Sequence, residues 1–102
     1  MWMVCLNRLN MAEYIKQDGT TEQVRPANGR DFTLEELQAY CGGYVQEVSL
    51  RDGRVMWCNE DGKVYGLELN ERATAIAEDA GALLAGDYIV GDVLICKDKE
   101  VL

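Results

Sequence analysis

The amino-acid sequence predicts an α+β domain in which a mostly antiparallel sheet carries two short helices, in the order β-β-α-β-β-β-α-β. Two observations lead to this class. Three Asp-Gly pairs separate short segments of strand-like composition, and two further stretches carry the capping residues and apolar spacing of helices. Because antiparallel strands need only short turns whereas parallel strands need long crossovers, this punctuation favours antiparallel pairing.

The first two Asp-Gly pairs, Asp18-Gly19 and Asp52-Gly53, each predict a β-hairpin. Both central residues of a type I′ turn need a positive φ, which Gly adopts freely and Asp tolerates. Val55–Cys58 is apolar on both faces, which predicts a central strand covered on both sides. The predicted hairpin strands are Glu13–Gln17 with Thr20–Arg25, closed by Pro26, and Tyr44–Leu50 with Arg54–Asn59.

Two more strands are predicted in the second half of the chain. The third Asp-Gly pair leads into a short strand at Lys63–Tyr65, and Asp87–Lys97 has the near-continuous apolar composition of a buried strand. Gly91, inside that run, indicates a bulge or a close backbone approach. We expect Asp92 to belong to a buried hydrogen-bond network, because an unpaired buried carboxylate is costly.

Each predicted helix carries its own start and stop signals. The first begins after Thr33, where Thr-Leu-Glu-Glu forms a capping box, and ends at Gly42-Gly43. The second begins after Asn70, a favourable N-cap, and ends at Gly81 or, after a further turn, at Gly86. Its apolar residues recur at helical spacing, at Ala73, Ile76, Ala77 and Ala80.

The chain is expected to divide at Met11. Residues 1–10 hold one charge and no clear period, so we expect an upstream extension or a loosely attached arm, with residues 11–102 forming a single α+β domain. No run approaches the ~20 apolar residues of a membrane span, and no stretch has the pattern of a secretory signal. We therefore expect a cytoplasmic protein with no membrane partner.

Composition argues against most enzyme chemistry. The chain has no His, which removes imidazole bases, Ser-His and Cys-His catalytic pairs and histidine metal ligands. The cysteines at positions 5, 41, 58 and 96 have no C-x-x-C spacing, and Cys41, Cys58 and Cys96 fall in predicted core segments. We therefore predict no catalytic residues, no metal site and no cofactor.

The charge balance limits the classes of partner that the protein is expected to bind. Eighteen acidic residues face ten basic ones, for a net charge of −8, and the basic residues are scattered along the chain. Such a surface repels nucleic acid and anionic lipid, so no direct nucleic-acid partner is expected. An acidic surface of this kind either competes for the basic groove of another protein or only maintains solubility.

Seven residues form the predicted ligand-contacting surface. Tyr44 and Trp57, with Tyr65 outside these seven, offer aromatic faces on which a planar ligand can stack, and a helix N-terminus offers unpaired N–H groups to an anion. The adjacent acids Glu60-Asp61 are better explained by turn chemistry than by a metal or acid/base site. The predicted ligand-binding residues are Tyr44, Trp57, Asn59, Glu60, Asn70, Arg72 and Thr74.

In combination and order, several segments resemble the family called domain of unknown function 3846, found in phages and mobile genetic elements. The resemblance covers about Glu13 to Cys96. It implies a setting in the bacterial host cytoplasm, and it implies no established activity and no catalytic residues. The matching segments are Leu37-Gln38, Gly42-Gly43-Tyr44, Val48, Trp57-Cys58-Asn59-Glu60-Asp61-Gly62-Lys63, Leu67, Asn70, Ala73-Thr74, Gly86-Asp87 and Val90-Gly91-Asp92-Val93.

Three hypotheses of function follow. The first is a non-enzymatic counter-defence protein that sequesters a host defence component, with a nucleotide immune signal as the ligand. The second is an acidic protein–protein inhibitor or DNA mimic directed at a host or defence protein. The third is a small carboxylate-dependent enzyme. A homodimer is the expected assembly, since symmetric pairs are the commonest.

Overall fold

A computed structural model describes residues 12–29 and 31–97. The sheet has the strand order β2-β1-β5-β4-β3, and every neighbouring pair is antiparallel. This arrangement confirms the predicted α+β class with its antiparallel sheet and two short helices. The elements are β1 (Ala12–Ile15), β2 (Thr21–Val24), α1 (Leu34–Cys41), β3 (Val45–Ser49), β4 (Arg54–Asn59), α2 (Glu71–Asp79) and β5 (Val93–Lys97). The extension predicted at residues 1–10 lies outside the described residues.

Both predicted hairpins are present, but neither turn has only two residues. Each Asp accepts a hydrogen bond from the backbone N–H two residues later, from Thr20 to Asp18 at 2.9 Å and from Arg54 to Asp52 at 3.1 Å. The following Gly takes the left-handed conformation, with a φ of 92° at Gly19. The Asp-Gly pairs therefore close longer loops through side-chain hydrogen bonding rather than forming type I′ turns.

The sheet is covered on both faces. On one face α1 packs with Phe32 and Leu94, and on the other α2 packs with Ile15, Met56 and other apolar residues of the strands. Successive residues of β4 alternate between these two layers, which confirms the prediction of a central strand covered on both sides. Cys41, Cys58 and Cys96 are buried, as their positions in core segments predicted.

Of the two strands predicted in the second half of the chain, one is absent and the other is shorter than predicted. Lys63–Tyr65 lies in a run of turns over residues 61–66, in which the Tyr65 N–H donates to the Asp61 carbonyl at 3.0 Å. Between β4 and α2, β pairing is limited in the described residues to a single bridge between Leu69 and Val90. The predicted strand at Asp87–Lys97 begins only at Val93, because the residues before it bond to the segment preceding α2.

Gly91 marks the close backbone approach that the sequence predicted. Its φ is +75°, its N–H donates to the Glu68 carbonyl at 2.8 Å, and a Cβ at this position would lie 2.8 Å from the Leu67 Cδ1. A side chain here meets both backbone strain and crowding. The glycine thus allows the chain to turn into β5 directly beneath Leu67.

Replacing Gly91 by alanine is expected to lower the free energy of unfolding by about 2–3 kcal/mol, which a urea titration measures. The matched control is Gly29→Ala, because Gly29 has a similar φ of +80° with no atom within 4 Å of the added Cβ. The control carries backbone strain alone and should lose about 1 kcal/mol. Equal losses in the two variants would show that contact with Leu67 contributes nothing.

Helix α1 has the predicted capping box, and one of its residues has a second role. Thr33 Oγ1 accepts from the Glu36 N–H at 3.2 Å, while Glu36 Oε1 accepts from the Thr33 N–H at 3.0 Å. The other oxygen of Glu36 accepts from the Ala27 N–H at 2.9 Å, which ties the preceding turn to the helix. These backbone hydrogen bonds, that of Thr33 first, lower the pKa of Glu36.

The lowered pKa predicts an acid-sensitive contribution to stability. A carboxyl whose pKa is lower in the folded state contributes fully above its unfolded value of 4.5, and this contribution is lost as pH falls through the folded pKa. Glu36→Gln is expected to be less stable than the native chain by about 1 kcal/mol at neutral pH. The difference should shrink in urea titrations as the pH is lowered below 4.5. Glu35→Gln, beside it and exposed, removes a first-turn charge but leaves the capping box intact; it is the control and should lose less than about 0.5 kcal/mol.

Candidate functional site

A cleft of about 470 Å³ opens where β1 and β4 end and β5 begins, beside the C-terminus of α1. The chain brings four separate segments together here: the start of the β1–β2 loop, the end of α1, the loop after β4 and the residues before β5. We call it the tyrosine cleft, defined by Tyr14, Tyr40, Tyr65, Gly42, Asn59 and Asp92.

Asp92 is the acidic group of the tyrosine cleft. Its Oδ2 accepts from the Tyr14 hydroxyl at 3.1 Å, and its Oδ1 accepts from the Gln17 N–H at 2.9 Å. This confirms the expectation that Asp92 belongs to a hydrogen-bond network. Both donors are neutral, and no Lys or Arg of the described residues forms an ion pair with Asp92. Within the described residues, the Asp92 carboxylate therefore has hydrogen-bond donors but no ion-pair partner.

Tyr14 is a fixed hydrogen-bond donor in this network. Burial, followed by the charge and hydrogen bond of Asp92, raises the pKa of Tyr14 to about 12. The phenol therefore stays protonated at neutral pH and cannot act as a base. Its hydroxyl also lies 3.4 Å from the Tyr40 carbonyl oxygen, so the same group links β1 to the last turn of α1.

Aromatic rings form the walls of the cleft. The centroids of Tyr14 and Tyr40 lie 4.8 Å apart with their planes tilted by 59°. Tyr65 stands at the rim and is 72% exposed. The ammonium group of Lys16 lies 5.6 Å from the centroid of the Tyr14 ring, so this ring already accepts a cation. The carbonyl end of α1 adds partial negative charge to the same place.

A second cavity, of about 130 Å³, lies on the α2 side of the sheet under the loops that flank α2. Lys63 forms an ion pair with Asp87 at its mouth, and the Lys63 ammonium lies 4.3 Å from the Tyr88 centroid. The hydrogen bond between the two charged groups raises the pKa of Lys63 and lowers that of Asp87. The positive charge of Lys63 is thus already balanced by Asp87, within the two loops that flank α2.

The two buried thiols near these cavities are not activated. Burial raises the pKa of Cys41 to about 12, and its Sγ lies 3.2 Å from the Trp57 carbonyl oxygen, to which it donates. Burial likewise raises the pKa of Cys58, which lines the second cavity, to about 11. Both groups remain thiols at neutral pH and lack the nucleophilic character of a thiolate.

The structure does not bring the seven predicted site residues into one surface. Tyr44 and Glu60 lie together, because the Glu60 N–H donates to the Tyr44 carbonyl at 2.8 Å. Trp57 packs on the α1 side of the sheet, and its indole N–H has no hydrogen-bond partner in the part of the chain that the structure describes. Asn70, Arg72 and Thr74 lie at the N-terminus of α2, which packs on the opposite face of the sheet from Trp57. Of these three, Arg72 is exposed.

Three of the predicted residues hold the fold together. Asn59 donates to the Cys41 carbonyl at 3.2 Å and accepts from the Asp61 N–H at 2.8 Å. Thr74 exchanges hydrogen bonds with the backbone of Ile89.

Asn70 is fully buried and caps α2 through the Ala73 N–H at 3.0 Å. Its two amide donors reach the carbonyls of Ile15 at 3.1 Å and Gly91 at 2.8 Å.

Of the residues that define the cleft, sequence reasoning offered Asn59 and Tyr65 as ligand contacts and Asp92 only as part of a hydrogen-bond network; Tyr14, Tyr40 and Gly42 were missed. Tyr14 and Asp92 are 78 positions apart, and Tyr14 and Tyr40 are 26 apart. The only local signal was the carboxylate of Asp92 at the edge of an apolar run. Pairing of β1 with β5 sets Tyr14 opposite Leu94. This register places the Tyr14 side chain beside that of Asp92, which precedes Leu94 by two residues.

Two further features bear on the chemistry of the site. Within residues 12–29 and 31–97, no group of three or more acidic, Cys or His side chains is placed to hold a metal ion. Across the same residues, no helix has both the length and the apolar character needed to cross a membrane.

Comparison with known proteins identifies one family. Searches of curated proteins and of solved structures returned no match. A family model described as a domain of unknown function, DUF3846, matches residues 12–101. That match spans all seven elements and the tyrosine cleft, and it confirms the family to which the sequence segments pointed. The chain therefore belongs to the DUF3846 family.

Proposed function

We propose that this protein is a non-enzymatic binding protein whose tyrosine cleft holds the positively charged side chain, Arg or Lys, of a partner protein. One observation carries the proposal: the Asp92 carboxylate stands among tyrosine rings and is hydrogen-bonded by the neutral donors of Tyr14 and Gln17. This corresponds to the hypothesis of an acidic protein–protein inhibitor.

Three features of the cleft attract the same kind of group. A carboxylate pairs with a cation, tyrosine faces attract a cation through their quadrupole, and the carbonyl end of α1 carries partial negative charge. Each effect alone is modest, but all three converge on one opening. A guanidinium group fits best, because it can stack on a ring while donating to a carboxylate.

The net charge of the chain supports the same partner. With a net charge of −8, the protein attracts basic surfaces over long range and raises their rate of encounter. We place this activity in the bacterial cytoplasm, where a protein of a phage or mobile element blocks a host or defence protein. The raised pKa values of Cys41 and Cys58 support a binding role rather than catalysis.

Sequestration of a nucleotide signal is our second proposal. The rings of Tyr14 and Tyr40 can stack a base, which favours a planar ligand. Its phosphates, however, would face Asp92. The described cations offer limited compensation, because Lys63 is paired with Asp87 and Arg72 lies on the helix of the opposite face. Lys16, which lies over the Tyr14 ring, supplies a single positive charge beside the cleft.

An NMR titration tests the proposed function. The probe is N-acetyl-arginine methylamide, and its matched control is the corresponding citrulline derivative, which has nearly the same shape without the charge. We expect the arginine probe to shift the amide signals of Gln17, Gly42 and Asp92 in a saturable manner, and citrulline to have no effect. Equal shifts with both probes, or shifts with adenosine monophosphate alone, would contradict the proposal.

A further inference from the structure

Two loops expose large apolar side chains at the same end of the molecule. The loop between β4 and α2 exposes Val64 by 84% and Tyr65 by 72%, and the loop between α2 and β5 exposes Leu84 by 84% and Tyr88 by 43%. We call these four residues the loop-tip surface. None of them belongs to the buried clusters of the core, so their exposure serves no packing within the fold.

Contacts between the two loops hold this surface in place. Lys63 pairs with Asp87 across the loops and also lies over the ring of Tyr88. Below them, Leu69 and Val90 form a β bridge, and the Gly91 N–H donates to the Glu68 carbonyl at 2.8 Å. A surface held in this way needs little ordering on binding, which reduces the entropic cost of association.

The charges around the loop-tip surface select its partner. Lys63 is neutralised by Asp87, whereas Glu60 and Glu68 are exposed near the same loops. A complementary surface must therefore be apolar at its centre and basic at its rim. A second copy of this chain would bring the same acidic rim and a further net charge of −8, so charge disfavours self-association.

We propose that the loop-tip surface is a docking site for an apolar patch flanked by Arg or Lys on a partner protein. Tyr65 belongs to both this surface and the tyrosine cleft, so one basic amphipathic segment reaches both. This inference rests on the proposed function, because the partner that supplies the basic side chain to the cleft also supplies the apolar patch.

Three synthetic peptides test the proposal by NMR titration of the full chain. The first is acetyl-Arg-Leu-Leu-Arg-Leu-Leu-Arg-amide, in the second serine replaces leucine, and in the third glutamate replaces arginine. We expect the first to bind at least about tenfold more tightly than the others, because the serine peptide buries little apolar surface and the glutamate peptide is repelled by the acidic rim. Its binding should shift the amide signals of residues 61–69 and 83–88.

A double variant supplies the matched test. Val64→Ser with Leu84→Ser is expected to remove the advantage of the leucine peptide, and because both residues are exposed the melting temperature should change little. The control is Leu34→Ser on α1, where Leu34 is 56% exposed, and it should leave the peptide affinity unchanged.

Other outcomes overturn the docking proposal in distinguishable ways. Equal affinity of the serine and leucine peptides removes the docking surface while leaving the cleft intact. Failure of the arginine probe removes the proposed function itself. Sedimentation that shows a dimer lost in the double variant would assign the surface to a second copy of the chain. Shifts confined to residues 1–10 in the double variant without peptide would assign it to that segment.

Discussion

Replacing Asn70 by alanine is expected to lower the free energy of unfolding by at least about 3 kcal/mol, the largest stability effect of any polar substitution in the described chain. The variant loses the N-cap of α2, which contributes about 1 kcal/mol. It also leaves the carbonyls of Ile15 and Gly91 without their donor inside the core, at about 1–3 kcal/mol for each buried group. Urea titration followed by circular dichroism measures the change.

Two further variants separate the parts of this effect. Asn70→Asp keeps the capping oxygen but turns a second carboxylate oxygen towards the two carbonyls, so it should be as unstable as alanine at neutral pH. Protonation supplies a donor, so part of the lost stability should return in acid. Arg72→Ala, on the exposed side of the same helix, is the control and should change stability by less than about 0.5 kcal/mol. A loss below about 1 kcal/mol in Asn70→Ala would contradict the role assigned to the amide.

Replacing Asp92 by asparagine is expected to weaken binding of the arginine probe at least about tenfold, the largest effect on binding in the account. Asparagine has the shape of aspartate: its amide oxygen can accept from the Gln17 N–H, and its amide nitrogen can donate to the Tyr14 hydroxyl, which can still donate to the Tyr40 carbonyl. The cleft should therefore keep its form. What disappears is the negative charge that pairs with the guanidinium. The NMR titration of the variant measures the affinity, and its unperturbed spectrum reports the fold.

The control for Asp92→Asn must remove one charge elsewhere. Glu47→Gln does so on an exposed position of β3, and it should weaken the probe less than about twofold through the smaller net charge. The effect of Glu47→Gln should vanish at high salt, whereas that of Asp92→Asn should persist because the pair is partly enclosed. Equal effects of the two substitutions would show that only the net charge attracts the probe.

The parts of the fold that were predicted correctly depend on neighbours in sequence. The capping box of Thr33 and Glu36, the glycine stop at Gly42 and the N-cap of Asn70 all act within one helical turn. Their signals are therefore complete in a few residues. The strand prediction at Lys63–Tyr65 failed because a β-branched residue beside an aromatic one is compatible with strand or turn, and hydrogen bonds within the loop decided for the turn.

The candidate site depends on contacts that sequence spacing does not encode. The sequence predicts Asn70 both as a helix cap and as a ligand contact, but its amide donors are occupied by the carbonyls of Ile15 in β1 and of Gly91. The sequence around Tyr14 indicates only a strand residue, and its place in the cleft follows from the pairing of β1 with β5. The strand order β2-β1-β5-β4-β3 places the last strand in the centre, and the cleft follows from that placement.

The most direct test of the central claim is to locate the arginine probe on the protein by intermolecular nuclear Overhauser effects. We predict cross-peaks between the δ-methylene protons of the probe and the ring protons of Tyr14 and Tyr40, and their loss in Asp92→Asn. Cross-peaks confined to α2 or to the second cavity around Lys63 would contradict it, because the positively charged group would then bind outside the tyrosine cleft.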